Sequence, residues 1–170
     1  LCTGPQFLNE QKTMEKEYFH PKKILLKVGY PNFERMFLLK IEKEKITQSK
    51  NDTNNITCLL APSWGKNMII ENYAIKIIDQ LIKNKIYVIF RPHPRSLSVS
   101  KSYIVDILNK YTKNKYFIYN PKISSINDMF SSDFMISDWS GASIEYSIVF
   151  KKPVLFINTP QKIKNKEYHK

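Results

Sequence analysis

No apolar run in the chain approaches the ~20 residues a helix needs to cross a bilayer. The longest, such as Val154-Leu155-Phe156-Ile157, are a small fraction of that, so no spanning segment is expected. Cysteine is scarce as well. Cys2 and Cys58 lie far apart and form no C-x-x-C or His-paired spacing. Cys58 falls in an apolar, strand-like run, where a buried reduced thiol is the ordinary outcome. Histidine is too thinly spread for a metal centre: His20, His93 and His169 make no ligand spacing, and no metal is expected. Disorder is not expected either, because 170 residues with 42% hydrophobic and 25% charged content can bury a core of their own.

Negative charge is the minority, with 15 Asp and Glu against 27 Lys and Arg, a formal net charge of +12. Such a surplus suits nucleic acid, an acidic membrane surface or phosphorylated substrates. The lysines are spread as Lys22-Lys23, Lys83, Lys85, Lys110, Lys113, Lys151-Lys152 and Lys162, mostly at segment ends, which is also how a solvated basic surface reads. They neither concentrate on one helix nor interleave with aromatics, so a nucleic-acid-binding module is the weaker reading and no nucleic-acid partner is expected. Leu1 in place of a start methionine, the lack of a signal-peptide pattern and a basic, polar stretch from Lys162 to Lys170 give the expectation of a fragment truncated at both ends.

From about Asn51 onward, short β-branched and aromatic runs alternate with helix-length amphipathic stretches, the pattern of an α/β domain with a parallel sheet covered by helices. Strands are expected at Ile56–Ala61, Ile86–Phe90, Tyr116–Tyr119, Phe134–Ser137 and Val154–Ile157. Ile70, Tyr73, Ala74, Ile77, Ile78, Leu81 and Ile82 recur at helical spacing between the first two. Ile104, Ile107, Leu108 and Tyr111 repeat the device, and Ser125–Ser131 offers a short helix before the fourth strand. Before Asn51, Phe7–Phe19 and Asn32–Lys45 read as helices joined by the apolar run Ile24–Val28 and the turn Gly29-Tyr30-Pro31. The expected division is therefore 1–50, the end of another domain with its connection, and 51–170, the α/β domain.

In open parallel sheets ligands bind outside the carboxyl ends of the strands. The first strand delivers Pro62-Ser63-Trp64-Gly65-Lys66, the second Arg91-Pro92-His93-Pro94-Arg95, the third Asn120-Pro121, and the fourth Asp138-Trp139-Ser140-Gly141-Ala142-Ser143. After the fourth strand, Ser140 can cap a helix whose first turn holds only Gly141, Ala142 and Ser143, small enough for an anion to approach the helix amides. Glu145 follows one turn beyond Gly141, placed for ribose hydroxyls. The plainer alternative is a capped helix with Ile144 and Ile148 in the core. After the second strand, Pro92 and Pro94 stiffen a loop that presents Arg91, His93 and Arg95, with arginine forks suited to phosphate oxygens. His93 would bridge a phosphate or protonate a departing one. Trp64 reads equally as a stacking platform or a packing plug, and Asp138 as an orienting partner for His93 or an arginine, or as a loop cap.

Taken together, Gly29-Tyr30-Pro31, Ala61-Pro62-Ser63-Trp64, Arg91-Pro92-His93-Pro94-Arg95, Ser137-Asp138-Trp139-Ser140-Gly141-Ala142-Ser143-Ile144-Glu145-Tyr146 and Lys152-Pro153-Val154 resemble the CDP-glycerol glycerophosphotransferase family, the teichoic-acid and capsule polymerase type. The resemblance implies the Rossmann-like, C-terminal half of a GT-B-type fold that holds a CDP-activated donor, transferring glycerol phosphate or a related alditol phosphate to a polyol-phosphate or polysaccharide acceptor. It implies catalytic roles for His93, Arg95 and Asp138, and donor contacts from Ser63, Trp64, Arg91, His93, Arg95, Asp138, Ser140, Gly141, Ala142, Ser143 and Glu145. It implies no cofactor, and a peripheral place on the acidic cytoplasmic face of a bacterial membrane.

Two departures stand out. Trp139 and Gly141 occupy positions where the family often has Tyr and a second Ser, and the His-Gly-Thr-like motif of the family's proposed base is absent from the sequence. The chain is therefore expected to bind donor without transferring it. An NDP-sugar glycosyltransferase or UDP-sugar 2-epimerase is the alternative within enzymes, because Arg-Pro-His-Pro also occurs in such proteins.

Overall fold

The computed structural model describes residues 3–46, 55–122 and 126–160. Cys2, Ser125 and His169, which figured in the expectations above, lie outside them. The chain divides into two compact units, Leu1–Lys45 and Ile46–Lys170.

The first unit consists of α1 (Pro5–Glu17) and α2 (Pro31–Ile46), each with proline at its start, where the missing N–H costs nothing. Gly29 turns the chain into α2 with φ of 70°, a left-handed backbone that glycine adopts without strain. Tyr30 then packs edge-on against Phe33, with ring centroids 4.7 Å apart. The apolar run between the helices is not core: Ile24, Leu26 and Val28 are all exposed, and Met36 is the buried residue of α2.

The second unit is an α/β domain built on five parallel strands, β1 (Thr57–Leu60), β2 (Tyr87–Phe90), β3 (Phe117–Tyr119), β4 (Phe134–Ser137) and β5 (Val154–Phe156), in the order β3-β2-β1-β4-β5. Each strand lies within a run expected from the sequence. Alternate residues point to opposite faces. Cys58, Leu60, Val88, Phe90, Phe117 and Ile136 form one core with the helices α3 (Ile69–Asn72), α4 (Ala74–Lys83) and α6 (Lys101–Tyr111), through Ile69, Ile70, Ala74, Ile78, Leu81, Ile104, Ile107 and Tyr111. Each fully buried aliphatic here contributes roughly 1.5–3 kcal/mol. Leu59, Ile89 and Met135 are buried on the opposite face, alongside the buried Met129, Tyr146, Val149 and Phe150 of the later helices. Burial pushes the Cys58 thiol up to about 12, so it stays protonated at neutral pH.

The helix expected as one piece between β1 and β2 is two, broken at Tyr73, whose side chain is exposed while Ile70 and Ala74 on either side are buried. A short helix, α5 (Ser96–Val99), precedes α6 and was not expected. The helix after β4 begins as α8 (Gly141–Glu145) and continues as a π-helical turn over Tyr146–Phe150. Its buried side carries Ser143, Tyr146, Val149 and Phe150, whereas Ile144 and Ile148 are exposed, so the plainer reading that put those isoleucines in the core is corrected.

Lys151 ends this turn in the left-handed region, with φ of 53°. Lys152 then sends its ammonium to the carbonyls of Met129 (3.3 Å), Phe130 (2.6 Å) and Ser132 at the end of α7 (Ile126–Ser131). The cation satisfies carbonyls that a helix end leaves open. The Lys152-Pro153-Val154 motif thus works as a structural clasp between α7 and β5.

Candidate functional site

The strand order reverses at β1, with β2 and β3 on one side and β4 and β5 on the other. Such a reversal opens a crevice at the carboxyl ends of β1 and β4. The loops converging there are those expected from the sequence, and three local clusters organise them.

The first joins the loops after β1 and β4. Asp138 is buried, and its Oδ1 accepts the Ser63 N–H at 2.7 Å while its Oδ2 lies 3.5 Å from the Thr159 hydroxyl, which donates to it. Ser137 donates its hydroxyl to the Ala61 carbonyl at 2.7 Å. Asp138 therefore ties together the segments after β1, β4 and β5. Of the two roles expected for it, the hydrogen bonds present are those of a loop cap. The Ser63 hydroxyl, buried beside it, has no hydrogen-bond partner among the described residues.

The second cluster joins the loops after β1 and β2. The Arg95 guanidinium lies 4.1 Å above the centre of the Trp64 ring, and the Trp64 and His93 rings are 6.3 Å apart. Trp64 thus serves Arg95 as a cation–π platform. The loop bearing Trp64 turns back through Gly65 (φ 131°) and Asn67 (φ 59°). Glu71 secures that turn by accepting the Asn67 N–H at 2.7 Å and the Ser100 hydroxyl at 3.2 Å. The Arg95 N–H donates to His93 Nδ1 at 3.1 Å. Accepting that bond occupies the Nδ1 lone pair, which assigns the ring proton of neutral His93 to Nε2.

The third cluster is buried. Arg91, expected to face phosphate, is only 5% exposed, and its Nη1 lies 3.8 Å from Asp128 Oδ2. The Asn120 amide donates to both oxygens of Asp128, at 3.0 and 2.8 Å. Burial holds the Arg91 pKa below its ordinary value, opposed in part by the charges of Asp128 and Glu145. Arg91 and Arg95 thus part company: one is buried beside Asp128, the other exposed at the rim.

At the start of α8, Ser140 holds the N-cap position in extended conformation, but its side chain makes no cap bond, contrary to expectation. Ser143 turns inward instead, its hydroxyl donating to the Ser140 carbonyl at 2.5 Å. A side chain added at Gly141 would meet nothing within 4 Å, so neither backbone nor packing demands glycine there. Ala142 is half-buried.

On the β5 side of this loop lies a cavity of about 560 Å³, between Asp138-Trp139-Ser140-Gly141 and Phe156-Ile157-Asn158, with Ser143 and Ile144 in its wall. The Trp139 indole N–H donates to the Thr159 carbonyl at 2.8 Å and so fixes one side of it. Ser63, Trp64, Arg91, His93 and Arg95 are not in its lining. Sequence reasoning passed over Asn120, Asp128 and Thr159 as partners and Phe156 as a wall. Asn120 was noticed only as a strand-end residue, and Asp128 carried one signal, the lone carboxylate of a short helix. Among the described residues, no group of three or more His, Cys, Asp or Glu is placed to hold a metal ion, and no helix is long and apolar enough to cross a membrane.

A doubly wound, Rossmann-like domain with cationic and small-residue loops at its switch point is the class these features define. The chain belongs to the CDP-Glycerol:Poly(glycerophosphate) glycerophosphotransferase family, whose model matches residues 9–165. Among solved structures it is similar to the wall teichoic acid polymerase TagF, at 15% identity and a TM-score of 0.55 over 91% of this chain. A TagF variant soaked with CDPG gives 17% identity and a TM-score of 0.53 over 86% of this chain. These identities speak for a common fold. The chain spans 38% and 35% of those two TagF chains. No curated protein matches the sequence significantly.

Proposed function

We propose that this chain supplies the donor site of a CDP-glycerol glycerophosphotransferase, holding the pyrophosphate of CDP-glycerol or a related CDP-alditol at the β1/β4 crevice. The observation that carries the reading is the hydrogen bond from Ser63 N–H to Asp138, which joins the two switch-point loops in a chain of this family.

In the reaction, an acceptor hydroxyl oxygen bonds to the β-phosphorus, the bond from that phosphorus to the bridging oxygen breaks, and its electron pair leaves with CMP. Arg95 and the Nε2–H of His93 offset charge on the phosphates, while the Gly141 and Ala142 amides at the start of α8 approach the same oxygens. Ser140 and the unpartnered Ser63 hydroxyl add donors, and Ser143 and Asp138 hold the loop in shape. Glu145 accepts the ribose hydroxyls. The acceptor's proton goes to a base that these 170 residues do not supply in any His-Gly-Thr-like motif. The chain alone therefore binds donor and transfers little or nothing.

The +12 charge suits an anionic polymer acceptor or the acidic cytoplasmic face of a membrane. Titrating the purified chain with CDP-glycerol, CDP-ribitol and UDP-N-acetylglucosamine tests the reading. Preference for a CDP donor is expected, and preference for the UDP-sugar would point instead to a glycosyltransferase or epimerase.

A further inference from the structure

We infer that Glu71 is a positioning residue for the donor phosphates: it closes a ring of contacts that holds the Arg95 guanidinium over Trp64. This role rests on the proposed donor site. Glu71 lies on α3, outside the motifs of the sequence, and is half-buried. Its Oε2 accepts the Asn67 N–H at 2.7 Å, and its Oε1 accepts the Ser100 hydroxyl at 3.2 Å. One carboxylate therefore grips the loop that carries Trp64 and, at the same time, the start of α6.

From each anchor a short stretch of chain leads to the cation–π pair. On one side Lys66 and Gly65 separate Asn67 from Trp64, and the backbone is left-handed at both Gly65 and Asn67. A left-handed residue other than glycine is costly and persists where its surroundings hold it. On the other side α5 is a single turn with Arg95 as its N-cap. The Arg95 carbonyl accepts the Val99 N–H at 3.1 Å and the Ser98 hydroxyl at 3.0 Å, and the Ser96 carbonyl accepts the Ser100 N–H at 2.9 Å. The ring shuts where the Arg95 guanidinium meets the Trp64 face at 4.1 Å. Ser100 shows that this link takes precedence over local helix stability. It holds the N-cap position of α6, where a serine oxygen ordinarily accepts an N–H of the first turn. It makes no such cap bond, and from a site 2% exposed its hydroxyl donates to Glu71. An exposed arginine loses rotamer freedom when it grips a phosphate, and a guanidinium held in place beforehand loses less. Glu71 thus raises donor affinity through Arg95.

The test is a double-mutant cycle on CDP binding, measured by calorimetry on the purified chain with the wild type, Glu71→Gln, Arg95→Met and the double variant. Thermal melting checks that each is folded. Glutamine keeps the size of the side chain but replaces one acceptor oxygen by a donor, so one of the two bonds is lost. Glu71→Gln is expected to weaken CDP binding about fivefold alone and less than about twofold beside Arg95→Met, the scale of coupling within one network. Ser100→Ala, which has no cap bond to lose, should weaken it about threefold with the same dependence on Arg95.

A folded Glu71→Gln that binds CDP as the wild type does overturns the inference and leaves the donor site standing. Equal weakening in both backgrounds also overturns it, because a purely structural role would not depend on Arg95. If Glu71→Gln fails to fold, Ser100→Ala decides by the same cycle. A wild type that binds no CDP, or that binds it as well after Arg95→Met, fails the donor reading itself, and the inference falls with it.

Discussion

The floor and the rim of the crevice are made from the same kinds of residue and do opposite work. Arg91 and Arg95 stand in one five-residue motif, yet Arg91 is buried beside Asp128 and Arg95 lies exposed over Trp64. Asp138 and Ser143 are likewise buried and spend their hydrogen bonds within the protein. Gly141 borders open space. The floor holds the loops in register, and the rim is where the proposed donor would lie. A residue's place in a motif therefore does not fix its role, because the burial of its charge decides which of the two it can perform.

Substitutions can break this contrast. The largest effect is expected for Arg91→Met, which strands the buried Asp128 without its cation and should cost about 3–5 kcal/mol of stability by urea denaturation. Arg95→Met should leave stability within about 0.5 kcal/mol. It should weaken CDP-glycerol binding by about 1.5–3 kcal/mol, measured by calorimetry, as a charged hydrogen bond to phosphate is lost. Equal stability losses for the two variants would erase the distinction. Asp138→Ala leaves the Ser63 N–H buried without an acceptor, and about 1–3 kcal/mol of stability should go with it in the same denaturation series. The smallest effect is expected from Trp64→Ala, which removes the platform under Arg95. It should weaken donor binding by about 0.5–1 kcal/mol with the fold intact by circular dichroism.

The strands were legible because parallel, doubly covered strands read as continuous apolar runs, and every expected run contains one. The carboxyl-end loops were legible for the same reason, since strand direction locates them. The partners of their side chains were not. Arg91 and Asp128 are far apart in sequence and meet only because β2 and α7 reach one end of the sheet, which no local pattern encodes. Which loops Asp138 would cap was hidden as well, because Ser63 N–H and Thr159 come to it from segments that meet only in the folded chain. The break at Tyr73 escaped because its spacing fits the apolar face that its exposed ring does not join. In the first unit the run Ile24–Val28 was legible as a connection between two helices, but not the exposure of its Ile24, Leu26 and Val28.

The central claim, that the donor pyrophosphate sits on the rim at the β1/β4 crevice, is tested most directly by a crystal structure of the chain soaked with CDP-glycerol. The account predicts phosphate oxygens within hydrogen-bond distance of the Arg95 guanidinium, His93 Nε2 and the Gly141 amide. A donor lodged wholly in the cavity against Phe156 and Asn158, without contact to Arg95 or His93, would contradict it.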